Sequence, residues 1–247
     1  VSGTTASETR ETRCRALLAE AAAFRSLGLV FERPHDGSDG ERALLGEELD
    51  DEAMREALAA ARNVSEGTYL AVFGPAGAVS PREAGWRRRA DPAEILADVA
   101  AFYEAFAYTP RAEEPADHIA IEVGFVAYLR LKEAFAITNE DDPAARLTAE
   151  ASARFLDLHL RRWAGCLAGR LVELGVVEFA PTAQALCARL GACATAAEAF
   201  TAGLSGARAV ADPFLGDAGG RDGLWSCGGA GAETACPYSR AERTSRT

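Results

Sequence analysis

Lysine is nearly missing from this chain: Lys132 is the single one beside 25 arginines, and there are only four isoleucines, one methionine and three histidines in 247 residues. With 54 alanines this is the skew of a GC-rich genome, and it carries no functional reading. β-Branched and aromatic residues, which favour strands, are sparse, whereas Ala, Leu, Glu and Arg favour helix, so the chain is expected to be all-α. No apolar run approaches the roughly eighteen residues of a membrane span. Residues 1–15 are polar and charged, without the apolar core of a secretory signal, and the expected compartment is the cytoplasm. Basic charge is also short: the net formal charge is -11, which excludes a general nucleic-acid binder and favours a basic partner. Cys14, Cys166, Cys187, Cys193, Cys227 and Cys236 contain no C-x-x-C pair and match no zinc spacing with the scattered histidines. They read as small reduced core residues, with metal binding or a disulfide left open for Cys227 and Cys236. Phosphate-cradling G-x-x-x-x-G-K-[ST], dinucleotide G-x-G-x-x-G and hydrolase G-x-S-x-G motifs are all absent, so no cofactor is expected.

What is present is helical periodicity. Cys14, Leu17, Leu18, Ala21 and Phe24 line a first helix expected to end near Gly28. Residues 41–62 read as one broken or two short helices, and a short one follows from Val64 to Phe73, capped by Asn63 or Ser65. Gly74-Pro75 opens a loop to about Ala90, long enough to be functional, mobile or a poorly read short helix. Asp91-Pro92-Ala93-Glu94 is a strong helix start whose stripe is Ile95, Val99, Phe102, Tyr103 and Phe106. From Ile119 to Leu131 the chain is apolar almost all round, interrupted by Glu122 and Arg130, which marks a helix surrounded by others. Asp142-Pro143 starts a long segment with Leu147, Ala151, Phe155 and Leu158, then Leu160, Trp163, Leu167 and Leu171, with a kink near His159. A last helix spans about 181–191. The Ala- and Gly-rich stretch 194–247 is expected to be a loose tail.

The densest titratable group is Glu114-Pro115-Ala116-Asp117-His118, with Glu122 one turn on. Asp117 is placed as the helix N-cap, Pro115 stiffens the approach, and His118 and Glu122 share one face at i, i+4. This reads either as a cap followed by a His–Glu pair on an apolar helix, or as a recognition or catalytic site. Arg87-Arg88-Arg89 is followed by Ala-Asp-Pro rather than an apolar run. It reads as a solvated loop, or as a contact for an acidic or phosphate-bearing partner.

The order Phe102-Tyr103-x-x-Phe106, Glu114-Pro-x-Asp117-His118-Ile119, Glu122, Phe125 and His159-Leu160-x-x-Trp163 resembles the TorD/DmsD/NarJ family of molybdoenzyme maturation chaperones. The resemblance covers roughly residues 17–190. In the preceding loop, Pro81-Arg82-Glu83-Ala84-Gly85-Trp86 is loosely similar to an aromatic–Glu–Ser element of that family. The resemblance implies one all-helical, TorD-like domain over 8–193, followed by a poorly ordered tail over 194–247. It implies a cytoplasmic, non-catalytic protein that binds the apo catalytic subunit of a molybdenum-containing oxidoreductase, through a twin-arginine signal peptide or N-terminal segment. Export would be held back until cofactor is inserted. Glu114, Pro115, Asp117, His118, Glu122 and Phe125 are the expected client-binding residues, carboxylates at the polar end and Phe125 as groove wall. No metal ligand and no catalytic residue is assigned, and self-pairing stays open. The alternatives are a helical enzyme using Asp117, His118 and Glu122 for acid–base chemistry, or a scaffold docking through its tail.

Overall fold

The computed structural model describes residues 6–191 apart from 36, 88, 112 and 113. The described residues form nine α-helices and no strand: α1 (Ala6–Phe31), α2 (Ser38–Glu48), α3 (Glu52–Ala61), α4 (Glu66–Phe73), α5 (Pro92–Ala105), α6 (Ile119–Thr138), α7 (Asp142–Leu158), α8 (Leu160–Glu173) and α9 (Ala180–Leu190). A 3-10 turn, Glu83–Gly85, lies between α4 and α5. The chain divides into two units, Val1–Gly206 and Ala207–Thr247, and the described residues belong to the first. The expected loose tail over 194–247, with Cys193, Cys227 and Cys236, lies outside the described residues. None of the described helices is long and apolar enough to cross a membrane.

Helix starts follow the caps that the sequence offers. Asp51, Ser65, Asp91 and Asp141 each accept a bond from a first-turn amide, and Pro92 and Pro143 occupy first-turn positions where no amide bond is lost. Helix α6 is the centre: thirteen of its twenty residues are buried. Along one side it lies antiparallel to α1, from Arg10–Glu140 and Arg13–Glu133 at one end to Gly28 beside Ala120 and Val123 at the other. α7 packs on another side, and α8 and α9 close the bundle with α3. The polypeptide breaks at His159, whose backbone (φ -117, ψ -90) separates α7 from α8, at the kink read from the sequence.

Three expectations are corrected. Helix α1 does not end at Gly28 but continues to Phe31. A Cβ at Gly28 would meet the Ala120 carbonyl at 3.4 Å, so this glycine serves close helix–helix approach and not termination. Leu147, assigned to the inner stripe of α7, is 61% exposed, while Ala145, Thr148, Ser152 and Phe155 face inward. On that side the small residues Ala144 and Ala145 of α7 pack with Leu17, Ala134 and Ile137. The cysteines are not uniformly reduced core residues: Cys14 and Cys166 are free but only half-buried, and Cys187 is in a disulfide. Cys14 sits at the α1–α6 rim, with Sγ 3.6 Å from Ala134 O.

The register of α7 is testable by urea denaturation. Phe155→Ala, which removes a fully buried ring, is expected to cost about 3–5 kcal/mol. Leu147→Ala is expected to stay within about 0.5 kcal/mol. Equal losses at both positions would contradict the observed face.

Candidate functional site

The turn Pro115–His118 delivers the chain into α6, and the 74–90 loop is clasped to it. Arg82 and His118 form an isolated antiparallel bridge. Glu83 N donates to Asp117 O at 2.9 Å and Ile119 N to Pro81 O at 2.8 Å. His118 N closes the turn on Pro115 O at 2.9 Å, and the Tyr103 hydroxyl donates to Ala116 O at 2.9 Å. A segment without a helix of three turns or a sheet thus gains its backbone partners from one neighbouring turn.

The side chain of Asp117 completes this clasp. Fully buried, it accepts from Arg82 Nε at 2.8 Å and from Ala84 N at 3.2 Å. Ala84 N is at the start of the 3-10 turn, so Asp117 caps that turn from across the interface and not its own helix. The cap of α6 is His118, whose Nδ1 accepts from Ala120 N at 3.2 Å. That bond leaves the proton of a neutral ring on Nε2, which is 4.0 Å from Glu114 Oε2 and makes no hydrogen bond. Burial, and then the charge of Arg82, lower His118 from 6.5 to about 4, so the ring is neutral at pH 7.

Deeper in, Glu83 and Glu122 meet from opposite elements. Glu83 is bonded by Arg87 Nη1 and by His159 Nδ1, the latter at 2.9 Å. Burial opposes its charge, but the His159 and Arg87 bonds prevail and hold its carboxyl below the usual range. Arg87 also reaches Leu158 O at 3.4 Å, at the end of α7. Glu122 Oε2 accepts from the Trp163 indole at 3.2 Å. Burial first, then the neighbouring Glu83 charge, push Glu122 well above the usual carboxyl range despite that indole bond. His159 stacks between Phe102 and Phe155, at 5.7 and 4.8 Å between ring centroids. Phe125 lies among Tyr103, Tyr108 and Phe155, with centroids at 4.8, 5.3 and 4.8 Å.

The six residues expected to meet a client therefore fall into two groups. Asp117, Glu122 and Phe125 have no exposed surface and His118 has 1%, which corrects the picture of an open row of carboxylates with Phe125 as groove wall. Glu114 is 31% exposed at its side chain and Pro115 is exposed. The physical reason for the burial of Asp117 is the 81–87 segment, which bonds both of its oxygens, while Phe125 is enclosed by the rings of Tyr103, Tyr108 and Phe155. Arg82, Glu83 and Arg87 were not singled out from sequence as members of this site. The available signal was the i, i+4 spacing of Glu83 and Arg87 in a loop too long to be decorative. A cavity of about 300 Å³ nearby is lined by Ala78, Val79, Ser80, Gly85, Trp86 and Arg170, with none of the motif acids on its wall. No cluster of three metal-ligating residues occurs among the described residues.

His118 carries a signed pH prediction. Its folded value lies below the unfolded one, so the stability it contributes is complete above about pH 6.5 and lost as pH falls toward 4. The full span corresponds to about 3 kcal/mol. His118→Asn keeps a capping oxygen without a titrating ring. Its denaturation midpoint is expected to fall less steeply than the wild type's over that interval, and parallel curves would contradict the assignment.

Compared with known proteins, the chain matches the nitrate reductase delta subunit family over residues 41–168, a span holding the 81–87 segment, the Glu114–His118 turn, Glu122 and Trp163. No curated protein and no solved structure matches the chain. The match covers just over half of the sequence and includes every element that builds the clasp. The chain belongs to the nitrate reductase delta subunit family, chaperones of the NarJ/TorD type that serve molybdoenzyme maturation.

Proposed function

We propose that this protein binds the apo catalytic subunit of a molybdenum-containing oxidoreductase, at a twin-arginine signal peptide or N-terminal segment, and holds it in the cytoplasm for cofactor insertion. The observation that carries this is the family match over the clasp. Supporting it, the chain's net charge of -11 suits a leader that presents two arginines ahead of an apolar run.

Magnitudes assign the parts. An exposed Arg–carboxylate pair is worth about 0.2–1 kcal/mol, whereas a micromolar complex needs about 8. Apolar burial at roughly 1.5–3 kcal/mol per large side chain must supply most of it, net of ordering costs. In this reading Glu114 and Pro115 meet the cationic end. Leu131 and Phe135, one turn apart on α6 and 49% and 72% exposed, offer apolar surface to the run that follows. At 1.5 Å per residue, Phe135 is about 25 Å along the axis from His118, the span of a helical segment of about seventeen residues. Asp117 and His118 hold the turn, Phe125 anchors it within the ring cluster of Tyr103 and Tyr108, and Glu122 joins the contact when the 81–87 segment moves aside. The acid–base enzyme reading gains no support from the closed form, in which Asp117 and Glu122 are fully buried and His118 nearly so.

Calorimetry of the full chain against a twin-arginine leader peptide tests this. Micromolar binding is expected. Glu114→Gln should weaken it by up to about fivefold, one exposed charge pair lost. Phe135→Ala should weaken it more. Absence of heat with the peptide, together with no association of the apo subunit, would remove the reading.

A further inference from the structure

The buried acid pair has an uneven set of partners. Both oxygens of Glu83 are taken, one by Arg87 and one by His159 Nδ1. Glu122 has Trp163 on Oε2, while its Oε1 receives no hydrogen bond. Glu83 is the neighbouring group, and a carboxylate cannot donate. Only a protonated Glu122 turns that contact into a bond.

The other polar and charged groups around the pair do not change this balance. Asp117, from the motif turn, is occupied by Arg82 and Ala84 N. Tyr103, from α5, is turned toward Ala116 O. Arg87 is the cation on Glu83's own segment. His159 faces Glu83 from the α7–α8 junction, and behind its Nε2 stands Asp98 of α5 at 3.4 Å, 58% exposed. Arg87 and His159 Nδ1 bond Glu83 and not Glu122, so two ionised carboxylates here would leave Glu122 charged, dry and beside a like charge.

We propose that Glu83 and Glu122 share a single proton that latches the 81–87 segment onto α6, and that loss of this proton releases the segment. The proton belongs to neither the helix nor the loop alone: it is the bond between them. Release exposes the carboxylates of Asp117 and Glu122, which the segment faces. That this exposure serves a client rests on the functional reading above; the latch itself does not. The sign follows from linkage. A group that binds its proton more tightly when closed contributes stability that is complete at low pH and lost as pH rises through its closed-state value.

Hydrogen exchange of the full chain, without client, tests the latch. The reporters are the amides of Glu83, Ala84 and Ile119, which bond across the interface. After correction for the intrinsic rate, their opening constant is expected to rise by up to about tenfold per pH unit from the ordinary carboxyl value of 4.5 up to the raised closed-state value of Glu122, and to level off above it. Glu122→Gln keeps a donor toward Glu83 and an acceptor for Trp163 but cannot ionise, so its profile should be flat. A flat wild-type profile overturns the latch whatever a leader peptide does, and failed peptide binding leaves the exchange result standing. Should Glu122→Gln not fold, infrared spectroscopy of the wild type decides: a buried carboxylic-acid band that disappears in step with opening supports the latch, and its absence at neutral pH overturns it.

Discussion

One buried carboxylate, that of Asp117, locks from its side chain a junction that two backbone bonds also join. It lies on the turn that enters α6, yet its two bonds go to Arg82 and Ala84 on the loop after α4. Through that loop the constraint spreads: Glu83 reaches His159 at the α7–α8 break, and Arg87 reaches the last turn of α7. A long loop with one 3-10 turn thus becomes the piece against which three helix ends are set. Removing a donor or acceptor from such a site costs more than the bond's net worth, because the abandoned partner stays dry.

This arrangement changes what the charged motif does. Read along the sequence, Glu114, Asp117, His118 and Glu122 look like one acidic face. Folded, Glu114 and Pro115 stand at the edge while the other three are interior and bonded differently. Asp117 caps a neighbour's turn, His118 caps α6, and Glu122 accepts from the Trp163 indole. Affinity for a cationic segment cannot come from interior acids in the closed form. It falls to the rim and to exposed apolar side chains on α6, or to a form in which the 81–87 segment has moved. A structural clasp and a recognition element are therefore compatible uses of the same residues.

The helices were legible because their signals are local: Asp91-Pro92, Asp142-Pro143 and the nearly all-apolar stretch after Ile119 each declare a helix and its degree of burial. The break at His159 was legible too. Leu147 was not, since periodicity cannot tell which side of a helix needs small residues to approach a neighbour. Gly28 misled for the same reason, a termination signal locally and a packing contact in the fold. At the site, the motif residues were visible but their burial was not. Whether a carboxylate faces water depends on a segment thirty-odd residues away, and Arg82 and Glu83 show themselves as its partners only when the 81–87 segment is laid over the turn.

The central claim, that Asp117 binds the 81–87 segment to the entrance of α6, is tested most directly by a double-mutant cycle in urea between Arg82→Ala and Asp117→Ala. Their half-exposed but charge-assisted bond is expected to give a coupling of about 1–2 kcal/mol. Additive losses, within about 0.3 kcal/mol, would show that the two residues act independently and would contradict the account.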